Sequence, residues 1–138
     1  MCQENVENVK AAVAHFVANG EPLWSTTAED VEVHDHDIPD AGVYRGHAGY
    51  AQWLEDWAGA WSEFSLEPED FIDIDDRVVV VFRMRATGRG SGVTVERKDA
   101  LVVQVRDGMA VRLDYYNNQE QALQQVGLQG PDEAAQST

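Results

Sequence analysis

Residues 65–117 read SLEPEDFIDIDDRVVVVFRMRATGRGSGVTVERKDALVVQVRDGMAVRLDYYN, a stretch in which apolar and polar side chains alternate with a period of two. That period predicts strands over Leu66–Ile74, Val78–Thr87, Thr94–Arg106 and Met109–Asn117. Asp75 and Asp76 punctuate the first connection, and Gly88, Gly90 and Gly92 loosen the second. Arg106, Asp107 and Gly108 form a tight hairpin signal, since Asp and Gly tolerate positive φ. These connections are too short to hold crossover helices, so the four strands form successive antiparallel hairpins.

Upstream the period is helical. Val6, Val9, Val13, Phe16 and Val17 fall on one helix face, with Gly20 as the stop. Tyr50, Trp53, Leu54, Trp57, Trp61 and Phe64 mark a second, aromatic-striped helix. Between them, Val31–His36 is a short strand with Val31, Val33 and Asp35 on one face and Glu32, His34 and His36 on the other, followed by a loop over Pro39–Gly46. A third helix is expected over Gln119–Val126, stopped by Gly127. Helices early and hairpins late give the α+β class. Residues 1–128 are expected to form the domain and the polar segment 129–138 a disordered tail.

The 138 residues hold 25 acidic and 10 basic side chains, a formal charge of −15 that repels nucleic-acid phosphate and anionic lipid. Eight of the ten basic residues lie between Arg77 and Arg112, where an anion could be attracted locally. Cys2 has no partner for an intrachain disulfide or a thiolate cluster. With no leader pattern and no long apolar run, a cytoplasmic location is the expectation.

Val33 to Asp35 after Ala28 to Asp30, then Tyr44, Arg45 and Gly46, then Arg106, Asp107 and Gly108, then Asp114, Tyr115 and Tyr116 carry a resemblance. In order and spacing, from Val6 to Leu128, the chain resembles the SnoaL-like branch of the nuclear transport factor 2-like superfamily. The resemblance implies a cone-shaped, curved antiparallel sheet with helices closing an internal pocket, and homodimers through the outer sheet face. It also implies three precedents for the chemistry. Asp35 stands where ketosteroid isomerase has its base, while Leu101 replaces that enzyme's protonated acid. Asp114 and Arg83 resemble the last-strand acid and the arginine of limonene epoxide hydrolase, but Arg85 replaces the middle-strand Asp. Polyketide cyclases of this branch use one late acidic residue, matched here by Asp114.

The expectation is therefore a small-molecule pocket protein, acting by cofactor-free acid-base chemistry on a hydrophobic or polycyclic substrate. Asp35 is the expected base, Asp114 the acid or base and Arg83 the charge stabiliser, all facing one shared hollow. Tyr44, Trp53, Trp57 and Tyr116 are expected to shape that pocket, joined by His34, Arg85, Asp99, Leu101 and Arg112. Each residue has a plainer reading. Asp35 can cap a strand end, Asp114 can form an ion pair with Arg112, and Arg83 and Arg85 can pair with Asp114, Asp99 or Glu96. The tryptophans can be core. His34 and His36 share a face, but two ligands do not make a metal site, and none is expected. Two alternatives stand beside the isomerase or cyclase: a ligand-binding or protein-interaction domain without turnover, and an epoxide hydrolase with Asp99 as the missing carboxylate.

Overall fold

The computed structural model describes residues 2–37 and 43–127. The chain runs through α1 (Cys2–Asn19), a 3-10 turn at Trp24–Thr26, β1 (Thr27–Asp35), β2 (Tyr44–Arg45), α2 (Gly46–Gly59), β3 (Trp61–Ile74), β4 (Arg77–Gly88), β5 (Thr94–Arg106), β6 (Met109–Tyr116) and α3 (Gln119–Gln125). Segment 129–138 lies outside the described residues, as does the first half of the loop expected over Pro39–Gly46, whose second half holds β2 and the start of α2. No helix among the described residues is long and apolar enough to cross a membrane.

The fold is α+β, with one six-stranded sheet in the order β2-β1-β6-β5-β4-β3. The sheet is mixed rather than wholly antiparallel, because β1 pairs with β6 in the parallel sense. A parallel pair needs a long crossover, and everything between β2 and β5 supplies it. The hairpins follow the sequence closely. Asp107 and Gly108 both adopt positive φ, +54° and +78°, as a two-residue turn requires. Pro68 is tolerated because β3 is an edge strand, and the register slips just after it.

The second helix departs from its periodicity. It starts at Gly46 and ends at Gly59, so Trp61 and Phe64 belong to β3, not to the helix. The cause is distant in sequence. Arg89, from the β4–β5 turn, donates from Nε to the Gly59 carbonyl and from a terminal nitrogen to the Trp61 carbonyl, both at 3.0 Å. These bonds satisfy carbonyls at the helix end, while β3 pairs with β4 from Trp61↔Gly88 to Ile74↔Arg77.

Alternation sorts the sheet into two faces. The inner face buries Val33, Val80, Phe82, Val103 and Leu113 beneath Val9 and Val13 of α1 and Trp53 of α2. The outer face buries Val79, Val81, Val102 and Tyr116 beneath Ala122 and Leu123 of α3. At 1.5–3 kcal/mol for each fully buried large aliphatic, roughly, these two layers supply the main driving force for folding.

Candidate functional site

A cavity of about 120 Å³ lies between the inner sheet face and helices α1 and α2. Its wall is overwhelmingly apolar, and among the described residues no Asp, Glu, Lys, Arg or His lines it. Trp53, Trp57 and Leu101, expected at the pocket, are there. Most polar groups in the wall are already engaged. The Thr26 and Thr27 hydroxyls donate to the Leu23 carbonyl at 3.4 and 2.9 Å. The Trp53 indole N–H donates to Asp35 Oδ2 at 2.8 Å, and the Tyr115 hydroxyl donates to Asp99 Oδ2.

Three polar groups of wall residues remain uncommitted among the described residues: the Asn8 amide, the Tyr50 hydroxyl and the Trp57 indole N–H. Tyr50 is fixed by its ring, edge-on to Trp24 at 5.6 Å and 6.1 Å from Trp53. Burial pushes its hydroxyl pKa upward, so at neutral pH it is a neutral donor and acceptor. Tyr50 did not stand out from its helical stripe in the sequence, since a cavity wall and a packed core have the same periodicity, and Asn8 lay outside the first stripe.

The carboxylates sit behind the wall. Asp35 is 7% exposed and accepts at Oδ1 from the Asp37 backbone N–H at 2.9 Å as well as from Trp53. Asp99 is fully buried and pairs through Oδ1 with Arg97 Nε at 2.7 Å. Burial disfavours the Arg97 charge, but the hydrogen bond to Asp99 outweighs it and raises the guanidinium pKa. Arg97 also lies over the Trp61 ring, 5.8 Å from its centroid. Asp37 completes the group, accepting at Oδ1 from Asn117 N–H at 2.9 Å. Burial, reinforced by the charges of Asp35 and Asp99, raises its pKa. Three carboxylates and one guanidinium thus share a region screened from the cavity by Trp53 and Tyr115. Arg97 and Tyr115 were given no site role in the sequence: the Tyr115–Asp99 bond joins neighbouring strands and leaves no local signal, and the i, i+2 spacing of Arg97 and Asp99 does not reveal that the pair is buried.

The remaining expected residues lie elsewhere. Asp35, Arg83 and Asp114 do not share a hollow, because Arg83 and Asp114 alternate onto the outer face, opposite the cavity. Asp114 is 3% exposed and accepts from His36 Nε2 at 2.7 Å and from Arg112 at 2.9 and 3.0 Å. Burial works against its charge, yet the Arg112 and His36 hydrogen bonds win and lower its pKa. Arg112 is correspondingly raised by its bond to Asp114. Arg83 pairs with Glu69 at 3.0 Å, and Arg85 with Glu96 at 3.7 Å. His34 pairs with Glu32 at 3.0 Å, which lowers the Glu32 pKa. Tyr116 stacks on His36 at 4.4 Å, with burial pushing its pKa up to about 12. Tyr44 packs against the inner core outside the cavity wall and reaches Asp56 at 3.4 Å. Asp99 therefore cannot complete an epoxide hydrolase set with Asp114 and Arg83, since the sheet stands between them.

The profile of the SnoaL-like domain matches residues 9–113. A nuclear transport factor 2-like protein from Burkholderia xenovorans LB400 is 30% identical and superimposes with a TM-score of 0.69, covering 84% of this chain and 90% of that one. TerC, solved co-crystallised with polyporic acid, is 25% identical over 89% of this chain and 98% of its own, with a TM-score of 0.69. A protein with a ketosteroid isomerase-like fold from Catenulispora acidiphila DSM 44928, in complex with trimethylamine, shares the fold at 19% identity, with a TM-score of 0.67 over 88% and 93% of the two chains. Among proteins of curated function none matches this sequence. A mixed sheet with its α1–α2 cover and inner cavity, joined to a profile match spanning three quarters of the residues, makes this chain a member of the SnoaL-like domain family.

Proposed function

We propose that the protein binds a small, neutral, mostly apolar molecule that carries one hydrogen-bonding group. The observation that supports this is the cavity wall itself, which among the described residues has no ionised side chain and leaves Asn8, Tyr50 and the Trp57 indole N–H free to meet a polar atom. A charged ligand would lose its hydration without a counter-charge, whereas a ketone, phenol or alcohol would not. Size favours a compact ligand. An apolar cavity of about 150 Å³ takes one benzene ring, and 120 Å³ is of that order, which disfavours burying a polycyclic system whole. The 25%-identical TerC, co-crystallised with polyporic acid, lends support to small-molecule binding on this fold.

Calorimetric titration with p-cresol and toluene tests the reading. The cresol is expected to bind about fivefold to tenfold more tightly, the worth of one hydrogen bond, and Tyr50→Phe to remove most of that preference. If neither compound binds, or the preference survives the substitution, the assignment is wrong.

Asp35 supports a second reading, in which the bound molecule is isomerised or cyclised without a cofactor. Asp35 retains slight exposure and lies one indole ring from the cavity, so a shift of Trp53 would bring a base to the ligand. In this reading Arg83 and Asp114 take no part in the chemistry. Asp35→Asn should then abolish turnover of a converted substrate while leaving ligand affinity within about threefold. Unchanged turnover would remove Asp35 from any mechanism.

A further inference from the structure

The Trp57 ring divides two compartments. Beyond it, a groove of about 380 Å³ lies between the C-terminal turns of α1 and α2 and the start of β3. Phe16, Leu54, Trp57 and Leu66 form walls of both the groove and the inner cavity. Trp57 meets Tyr115 edge-on at 6.3 Å on the cavity side and Phe64 edge-on at 5.0 Å on the groove side. Val17 and Phe64, 52% and 41% exposed, are two of three exposed large hydrophobic residues among those described, and both border this groove. Among the described residues no charged side chain lines the groove. A single exposed apolar residue needs no explanation, but two bordering one groove that shares walls with an interior cavity mark a binding surface.

Resting on the small-molecule reading above, we infer that the natural ligand has two parts: a ring-sized polar-tipped head in the inner cavity and an apolar extension of several carbons lying in the outer groove. Trp57 is the partition past which the extension runs. The segment 129–138 is a poor occupant for such a groove, since it carries Asp132 and Glu133 and no apolar side chain larger than Pro131. An acyl or alkyl chain suits it, because most of the groove wall is apolar and no charged side chain among the described residues lines it.

The 4-alkylphenol series from p-cresol to 4-pentylphenol tests this by titration calorimetry. On the wild type, affinity is expected to rise twofold to fourfold per added methylene, roughly the transfer value of a buried CH₂ group. Ala58→Trp, which fills the groove from α2, and Val17→Trp, which fills it from α1, are expected to flatten that slope while leaving the p-cresol Kd within about twofold. The second variant serves if the first does not fold. Binding of p-cresol with no dependence on chain length overturns the two-compartment ligand but leaves the inner-cavity reading intact. A slope that survives both tryptophan substitutions also overturns it. Sedimentation velocity on the same variants covers the remaining occupant: a wild-type dimer that both substitutions convert to monomer would assign the groove to a second copy of the chain and overturn the proposal. Failure of wild type to bind p-cresol at all would remove the inner-cavity reading, and this inference with it.

Discussion

Trp53 and Tyr115 meet at an angle of 61° with ring centroids 5.6 Å apart, and each gives its polar hydrogen to a carboxylate screened from the cavity rather than to the cavity itself. The pair forms an apolar screen with an acidic back. Its rings present hydrocarbon to a ligand, while its N–H and O–H compensate Asp35 and Asp99 for lost hydration. The Tyr115 hydroxyl, pushed well above its ordinary pKa by burial and then by the Asp99 charge, stays protonated and keeps donating.

Trp53→Phe is expected to destabilise the fold by about 2–3 kcal/mol, because Asp35 then retains only the Asp37 N–H as partner and part of the indole volume is lost. Urea unfolding followed by far-UV circular dichroism measures this. A change below about 0.5 kcal/mol would mean that the indole–carboxylate bond contributes nothing to the fold.

Asp114→Asn should cost about 1–3 kcal/mol at neutral pH, since the side chain accepts charge-assisted bonds from Arg112 and His36. Its folded-state pKa lies below the ordinary 3.8, so the stability it contributes is present above the unfolded value and is lost as pH falls through the folded one. The gap between wild type and variant is therefore expected to close at acidic pH. p-Cresol affinity should not change, because Asp114 lies on the face opposite the cavity. Loss of binding in this variant would contradict that separation.

Asp37 behaves in the opposite sense. Burial raises its pKa above the ordinary 3.8, so the ionised group weakens the fold at neutral pH, and the penalty is relieved as pH falls through the raised value. Asp37→Asn keeps an oxygen for the Asn117 N–H and removes the charge beside Asp35 and Asp99. Its Tm at pH 7 is expected to rise by on the order of a few degrees, with the difference vanishing below about pH 4. A lower Tm at pH 7 would show that the Asp37 charge is stabilising.

The hairpins from Leu66 to Tyr116, the first helix and its stop, and the assignment of Val31, Val33 and Asp35 to one face of β1 and Glu32, His34 and His36 to the other were all legible in residue order. Each depends on a period of two or 3.6 or on a turn residue, which are properties of neighbours along the chain. The over-long second helix shows where such reading stops: Trp61 and Phe64 continue the helical spacing, but pairing with β4 and the reach of Arg89 claim them for the sheet.

Alternation also stated which residues travel together without stating which row meets the helices. The row with Asp35 faces α1 and α2, and the rows with Arg83 and Asp114 face the other way, so the charged trio expected in one hollow is split by the sheet. The amino-acid order by itself determined the elements, their class and the partition of each strand into two faces, because sterics and periodicity act within a few residues. Only the tertiary structure decided which face encloses the cavity, and that the cavity wall is neutral with its carboxylates screened behind Trp53 and Tyr115, because those facts depend on which strands and helices meet across the sheet.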